Sequence, residues 1–370
     1  MRVAHLMHGL MMGGLEQVVV RLCEAGRQQG VEPLVIAFGR DGAVRDELRQ
    51  KGIPLEYLGM VRGMSPQAIH GIGQALRRHQ IDVVHAHDLG PWLNAVSARA
   101  LSPRTRAVVT FHQISTPSGV NWGAARAASM VSDALIACGD EVRACVQDWA
   151  SSATRVELIG NGVPLGAEPT EEDRLRARRE LGLPEGARVF GYLGRLHPEK
   201  GTDLLIDAFT REFVRKGDED VHLVLIGTGQ WEAELRERVA KTRHPRVHFA
   251  GEITNASRLL PALDVYVQPS RREGRSLSMM EAMAAALPTV AQALPAIREL
   301  HVEGETALLV SPEHPDFAPA MRRLIENEEE RRKVGSRARG HVQRFSIDAM
   351  AEQYASLYRR VARRASQGAA

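Results

Sequence analysis

The sequence is poor in several features that would each announce a function. It has three cysteines, Cys23, Cys138 and Cys145, odd in number and scattered, so neither a disulfide framework nor a cysteine metal site is expected, and a reducing cytosol suits them. No uninterrupted apolar run approaches ~20 residues, which argues against a membrane-spanning helix. The opening stretch MRVAHLMHGLMMGG is broken by His5, His8 and Gly9 and lacks a signal-peptide layout, so a cytoplasmic place is expected. HExxH, CxxC and GxSxG patterns are missing. A formal charge of +3 is too small to point to nucleic acid as a partner.

What is present is ordinary globular material: 370 residues, 44% hydrophobic and 25% charged, enough for two domains with full cores. The first half alternates apolar runs (RVAHLMH, PLVIAFG, DVVHAHD, RAVVTFH, DALIACG) with stretches of helical spacing such as GLEQVVVRLCEAGRQQG and PQAIHGIGQALRRHQ. Apolar runs with little alternation are strands covered on both faces, hence a parallel sheet with crossover helices. GVPLGAEPTEEDRLRARRELGLPEGAR, from Gly162 to Arg188, reads as an interdomain linker holding a short charged helix. The alternation then restarts with VFGYLGRL, VHLVLIGTG, RVHFAG, VYVQPS, TVAQAL and TALLV, which predicts a second α/β domain. The boundaries expected are 1–165 and 166–345, with an amphipathic C-terminal helix over 346–370. In open α/β folds ligands bind at the carboxyl ends of the strands, so a cleft between two such sheets is the expected site.

The richest stretch is SRREGRSLSMMEAMAAALPTV, where Glu273 and Glu281 are separated by seven residues. Ser276 or Ser278 suits an N-cap, and the helix start behind it offers backbone N–H groups and partial positive charge to a diphosphate. Glu281 inside that helix suits paired ribose hydroxyls, and Glu273 in the loop suits hydroxyls of a sugar farther along. Alone, the pair also fits two surface glutamates. In GYLGRLHPEKG, Arg195 follows a strand and Lys200 comes five residues later; two cations there clamp a diphosphate or simply face water. GLMMGGLEQ places Gly9, Gly13 and Gly14 between a strand and a helix, but its spacing is not that of a GxGxxG dinucleotide loop. Gly227 and Gly229 follow another strand in LVLIGTGQ. His85 and His87 (VVHAHD) and His112 (VVTFHQ) sit at strand ends, where His112 suits a sugar hydroxyl or phosphate and a backbone-bonded histidine is the plainer alternative. GDED, at Gly217 to Asp220, has the look of a metal-binding acidic triplet but reads as a solvated turn, so no metal site is expected.

These signals occur in one order that resembles the retaining GT-B glycosyltransferases of glycosyltransferase family 4, along essentially the whole chain. The stretches that carry it are GGLEQVVVRL, NGV, GYLGRLHPEKGTDLLIDAF, LVLIGTGQ, VHFAGEI, VYVQPSRREGRSLSMMEAMA and the terminal FS…YASLYRRV. The resemblance implies two Rossmann-like domains facing across a cleft: an N-terminal acceptor-binding domain and a C-terminal domain for a nucleotide-diphosphate sugar of the UDP or GDP type. It implies that Arg195 and Lys200 bind and stabilise the diphosphate, that Glu273 contacts the donor sugar, and that Glu281 grips the ribose. Backbone of Gly274, Arg275, Ser276 and Leu277 would meet the phosphates. Gly13 and Gly14 would border phosphate and acceptor, Gly227, Gly229 and Gly251 would lie along the nucleotide, and His112 would approach the transferred sugar. The final helix would pack back on the N-terminal domain. No cofactor or metal is implied. Two departures stand out: Arg275 replaces a bulky apolar residue after Glu-Gly, and Asn-Gly-Val follows Gly160 where many relatives have proline. A nucleotide-sugar epimerase, a phosphorylase carrying pyridoxal phosphate, and a non-catalytic nucleotide-sugar sensor are the rival readings. For the acceptor, Arg99, Arg104 and Arg106 with the apolar GVNWGAARAASMVSDAL segment suit either a solvated basic face or a peripheral contact with the inner membrane face and a lipid-linked acceptor.

Overall fold

The computed structural model describes residues 1–59, 63–114, 116–118, 120–242 and 246–367. The chain forms two compact units: Met1–Gly162 joined by Phe345–Ala370, and Val163–Arg344.

In the first unit, strands β1 (Arg2–Met7), β2 (Glu32–Ala37), β3 (Leu55–Tyr57), β4 (Val83–His87), β5 (Arg106–Phe111), β6 (Ala134–Ala137) and β7 (Val156–Leu158) form one sheet in the order β3-β2-β1-β4-β5-β6-β7. All its ladders are parallel. Helices α1 (Gly14–Gln28), α2 (Val44–Gln50), α3 (Pro66–Arg78), α4 (Leu89–Ala98), α5 (Val120–Val131) and α6 (Asp140–Trp149) make the crossovers. Every residue of β4 is buried, as expected of a strand covered on both faces. Local chemistry sets the helix starts: Ser65 caps α3 by accepting from Ala68 N at 3.1 Å, ahead of Pro66 in the first turn.

The second unit holds α7 (Glu171–Glu180), β8 (Arg188–Leu193), α8 (Thr202–Phe209), β9 (Val221–Ile226), α9 (Glu232–Ala240), β10 (Val247–Gly251), β11 (Val265–Gln268), α10 (Leu277–Ala284), β12 (Thr289–Gln292), α11 (Pro295–Arg298), β13 (Ala307–Val310), α12 (Ala318–Glu326) and α13 (Glu328–Val342). Its sheet is parallel, in the order β10-β9-β8-β11-β12-β13. The last helix, α14 (Ile347–Gln367), belongs to the first unit. Two parallel-sheet α/β domains is the architecture the alternation predicts.

The expected linker is a correction. Its charged helix α7 is part of the second unit, and Arg178, fully buried, donates to the carbonyl oxygens of Ala262 (3.0 Å), Glu185 (2.6 Å) and Ala187 (2.6 Å) and to Asp264 (2.9 Å). A charge run reads as solvated because most are; here one guanidinium terminates a set of loop carbonyls instead. ASRLLPAL also departs from the expected helix: Ala256–Ala262 is a 3₁₀ segment with Pro261 inside it, since proline removes the donor an α-helix needs.

At the carboxyl edge of the second sheet, glycines let the loops after β8 and β9 touch backbone to backbone. Leu196 N donates to Thr228 O (2.9 Å), and Gly227 N donates to Gly251 O (2.8 Å). A Cβ added to Gly227, at φ +127°, would lie 2.1 Å from Gly194 O, and one on Gly229 would lie 2.1 Å from Leu196 O. These glycines are therefore needed for the loops to nest. Gly229→Ala is expected to cost about 2 kcal/mol or more in urea unfolding, whereas Gly186→Ala, whose added Cβ meets nothing within 4 Å, should change stability by less than about 0.5 kcal/mol. Equal effects would show that the nested loops carry no packing constraint.

Candidate active site

Because β8, β9, β10 and β11 run parallel as neighbours, the loops that follow them gather at one edge of the second sheet. That edge receives Arg195 and Lys200 after β8, Gly227 and Gly229 after β9, Gly251 at the end of β10, and Glu273 to Glu281 after β11. The loops after β8 and β11 are clamped together. Arg271 donates to Pro198 O (2.9 Å) and pairs through both terminal nitrogens with Asp203 (2.8 and 2.7 Å), while Arg271 N donates to Glu199 O (2.8 Å). Gly201, at φ +64°, completes the approach: a Cβ there would lie 2.0 Å from Pro269 O.

The clamp brings Lys200 Nζ to 2.7 Å from Glu273 Oε1. The same oxygen accepts from Gln268 Nε2 (2.8 Å) and Ser270 Oγ (2.7 Å). Glu273 is nearly buried, its side chain 6% exposed. Three donors on Oε1 make a carboxylate tolerable at such burial. Among the described residues no hydrogen bond is made to Oε2. Behind Gln268, Tyr266 OH lies 2.6 Å from Gln268 Oε1 and 2.9 Å from Ser278 Oγ, and burial pushes its phenol pKa up. Arg195 is exposed, one residue past the Gly194 turn, and Tyr192 OH holds its carbonyl at 3.1 Å. Of the two capping candidates Ser276 is the one that caps α10, accepting from Met279 N at 3.3 Å. Gly274, Arg275 and Leu277 flank that cap half-buried, and Glu281 is half-buried in the second turn.

In the first unit, Gly13 and Gly14 begin α1. Gly13 is extended, and a Cβ on it would meet only the flexible end of Glu16 at 2.4 Å. His112 follows β5. Its backbone N donates to Asp88 Oδ1 (2.8 Å) and its Nε2 lies 3.0 Å from His87 Nδ1. His112 Nδ1 is buried with no partner among the described residues. Burial holds His112 down at about 4 and His5 at about 3, lowers His85 and His87 well below the usual imidazole value, and raises Asp88 to about 6.

Residues 12–166 match the family model described as Glycosyltransferase Family 4, and residues 187–327 match that of Glycosyl transferases group 1. The chain belongs to glycosyltransferase family 4. It is 28% identical over 229 residues to the D-inositol 3-phosphate glycosyltransferase of Corynebacterium glutamicum, an alignment spanning 59% of this chain and 55% of that protein. The chain thus spans little more than half the length of the first curated relatives it matches. It is 28% identical to the phosphatidyl-myo-inositol mannosyltransferase of Mycobacterium leprae over 95% of this chain and 94% of that one. The crystal structure of Anabaena HepE in complex with UDP and glucose matches it with a TM-score of 0.83 at 23% identity, covering 96% and 98% of the two chains. At that identity the likeness speaks to the fold, which is the GT-B fold. Among the described residues, no helix is long and apolar enough to cross a membrane.

Against this family background, the residues missed from sequence are the supports. Gln268, Ser270, Tyr266, Asp203 and Arg271 carry no motif of their own. Arg271 sits two residues before Glu273, and its pairing with Asp203 becomes visible only once the two loops meet. Asp88 was equally hidden, whereas His87 was legible as a strand-end histidine but its bond to His112 was not.

The buried histidines predict an acid response. A ring whose folded pKa lies below its free value contributes stability above about pH 6.5 and loses it as pH falls toward 4, on the order of 2 kcal/mol per ring by pH 5. Asp88 runs oppositely: its raised pKa contributes below about pH 4 and is lost as pH rises through 6. His5, His85, His87 and His112 outnumber it, so the midpoint of thermal unfolding should be lower at pH 5 than at pH 7. An unchanged or higher midpoint at pH 5 would mean these rings are not held neutral.

Proposed function

We propose that the chain transfers a sugar from a nucleotide-diphosphate sugar of the UDP or GDP type to a hydroxyl on a glycan, a lipid-linked carrier or a small molecule. No metal or other cofactor takes part, and the anomeric configuration is retained. The observation that carries this reading is the 2.7 Å pair between Lys200 and a nearly buried Glu273, set beside the capped start of α10. A cation and a carboxylate fixed against each other at a strand-end edge suit a ligand with anionic phosphates next to a polyhydroxylated sugar.

The roles follow from donor and acceptor capacity. An ammonium has three N–H groups, and Glu273 takes one of those of Lys200, so two are left for phosphate oxygens. Arg195, exposed, offers a planar fork to the same diphosphate, and backbone N–H groups of Gly274 to Leu277 at the head of α10 add partial positive charge. Glu273 has Oε2 left to accept from sugar hydroxyls, and Glu281 accepts from the ribose. Gly227, Gly229 and Gly251 allow the nucleotide to approach the nested backbone. In the first unit, Gly13 and Gly14 present the start of α1 to phosphate or acceptor, and His112 Nδ1 meets a hydroxyl of the transferred sugar.

The bond from the anomeric carbon to the phosphate oxygen breaks, and a bond from that carbon to the acceptor oxygen forms on the same face. The acceptor proton passes to the departing phosphate. Arg195 and Lys200 supply the charge stabilisation that a divalent ion would otherwise give, so EDTA should leave turnover unchanged. A thermal-shift screen across nucleotide sugars tests the donor, since a ligand bound only by the folded chain raises the unfolding midpoint. Lys200→Ala should lower kcat about 10²–10³-fold, and Glu281→Ala should weaken all donors sharing a base. A screen in which no nucleotide sugar shifts the midpoint, or a product of inverted configuration by NMR, would reject the reading.

For the acceptor, α5 exposes Trp122 (45%) and Met130 (68%), which with Arg126 stand at i, i+8 and i+4 toward one side, the Arg126 guanidinium 5.7 Å from the Trp122 ring centroid. An apolar and aromatic helix side with a basic group suits the interface of an anionic membrane carrying a lipid-linked acceptor. Co-sedimentation with vesicles rich in phosphatidylglycerol is expected, and Trp122→Ser with Met130→Ser should reduce it several-fold. Equal sedimentation of both proteins would remove α5 from this role.

A further inference from the structure

Four imidazoles meet in the first unit: His5 on β1, His85 and His87 on β4, and His112 after β5. Their hydrogen bonds have a definite order. His5 Nδ1 lies 3.2 Å from His87 Nε2, and His87 Nδ1 lies 3.0 Å from His112 Nε2. His85 stands aside from this line: its Nδ1 meets Tyr358 OH at 2.6 Å and its Nε2 meets Thr110 Oγ1 at 2.7 Å. Thr110 Oγ1 in turn lies 2.9 Å from Tyr354 OH.

His5, His85 and His87 are close enough to hold a metal ion. The bond inventory favours another use. Both nitrogens of His85 already face hydroxyls, and both nitrogens of His87 face imidazoles, so a metal would have to displace bonds that are satisfied without it.

The line His5–His87–His112 has a consequence that follows from valence alone. A neutral imidazole carries one N–H, so one of its nitrogens donates and the other accepts. If His87 donates from Nδ1 to His112 Nε2, then His112 carries its proton on Nδ1, and His87 Nε2 must accept from Nδ1–H of His5. If His87 donates instead from Nε2, all three rings carry the proton on Nε2. Of the eight tautomer combinations open to three independent rings, the two bonds permit two. The burial that keeps the rings neutral excludes a doubly protonated ring that would break the rule.

We propose that His87 is a positioning residue for His112, and that His5, with no hydrogen bond to His112, acts through it: the three imidazoles share one tautomer, which sets His112 Nδ1 as donor or acceptor toward the ligand. This rests on the reading above that His112 meets the transferred sugar. The orphaned His112 Nδ1 is the end of the line, and the backbone bond from His112 to Asp88 fixes where that end points. Orienting a functional imidazole through its other nitrogen is a general device; here the orienting group is another imidazole, oriented in turn by a third.

Nitrogen-15 NMR of the full chain labelled at histidine reads the tautomer of each ring directly. The wild type should show His5, His87 and His112 protonated on the same nitrogen at pH 7. His5→Phe should change the tautomer ratio of His112, and His87→Phe should uncouple His112 from His5. In turnover, His87→Phe should lower kcat about tenfold or more while the donor KM stays within about twofold, the sign of a mis-set rather than a missing group. Opposite tautomers among the three rings, an imidazolium among them at pH 7, or one zinc ion per chain by elemental analysis that His5→Phe removes would each overturn the proposal. So would an unchanged His112 tautomer in the His5 variant, which keeps the test open if the His87 variant fails to fold. The NMR result stands or falls without any sugar donor, so failure of the transferase reading is separately visible as absence of turnover in the wild type.

Discussion

The second unit is organised around one carboxylate. Glu273 sits 6% exposed, where an unpaired charge would cost several kcal/mol, and it is tolerated because Lys200, Gln268 and Ser270 all donate to the same oxygen. Those donors come from two loops, one after β8 and one at the end of β11. The loops have to be held at contact before the pair can exist. The bidentate Arg271–Asp203 bridge and the close passage of Gly201 under Pro269 do this, and the nesting of Gly227 and Gly229 against the β8 loop fixes the other flank. The order of dependence is therefore glycine approach, loop clamp, ion pair. A residue outside the ion pair, such as Arg271, is as necessary as Lys200 to the geometry of the site.

Much of this architecture was legible in the sequence. The long apolar runs became strands because a strand covered by helices on both faces has no polar side to alternate. The shortest elements were not legible: β3 and β7 have three residues each, too few to show a period. Helix α13 was missed for another reason. Its buried residues Val334, Ala338 and Val342 recur at helical spacing, but charge surrounds them, and Gly335, which weakens a helix by propensity, is there because Ala286 O would lie 2.0 Å from any Cβ. Arg178 shows the same limit from the polar side, since nothing in EEDRLRARREL tells which of its arginines is buried. Composition says what a residue prefers on average, and these positions are decided by what is packed against them.

Motif residues and their supports divide along the same line. Glu273, Glu281, Arg195 and Lys200 stand at spacings that can be read along the chain, because each pair belongs to a single loop or loop-helix junction. Asp203 meets Arg271 from a distant segment, and such a partner has no fixed separation in sequence, while Gln268 lies only five residues before Glu273 and went unread because no motif marks it. His85 and His87 show the halfway case: spacing of two places them on one face of β4, so a histidine face was implicit, while the pairing of His5 with His85 depends on the β1–β4 register.

That register also explains why the last helix returns to the first unit. A row of imidazoles and the hydroxyl of Thr110 would leave a polar stripe beneath the surface of the sheet. Tyr354 and Tyr358 are four apart on α14 and so project from one face of it. Their hydroxyls reach Thr110 and His85, while their rings bury apolar area over the histidines. Tyrosine suits this place because it carries both kinds of surface on one rigid body; phenylalanine would leave His85 Nδ1 without its partner, and a smaller polar residue would leave the stripe uncovered. The polar interior of the first unit is thus closed by residues from the far end of the chain, whose rings lie against His85 and His5 at the edge of the histidine line.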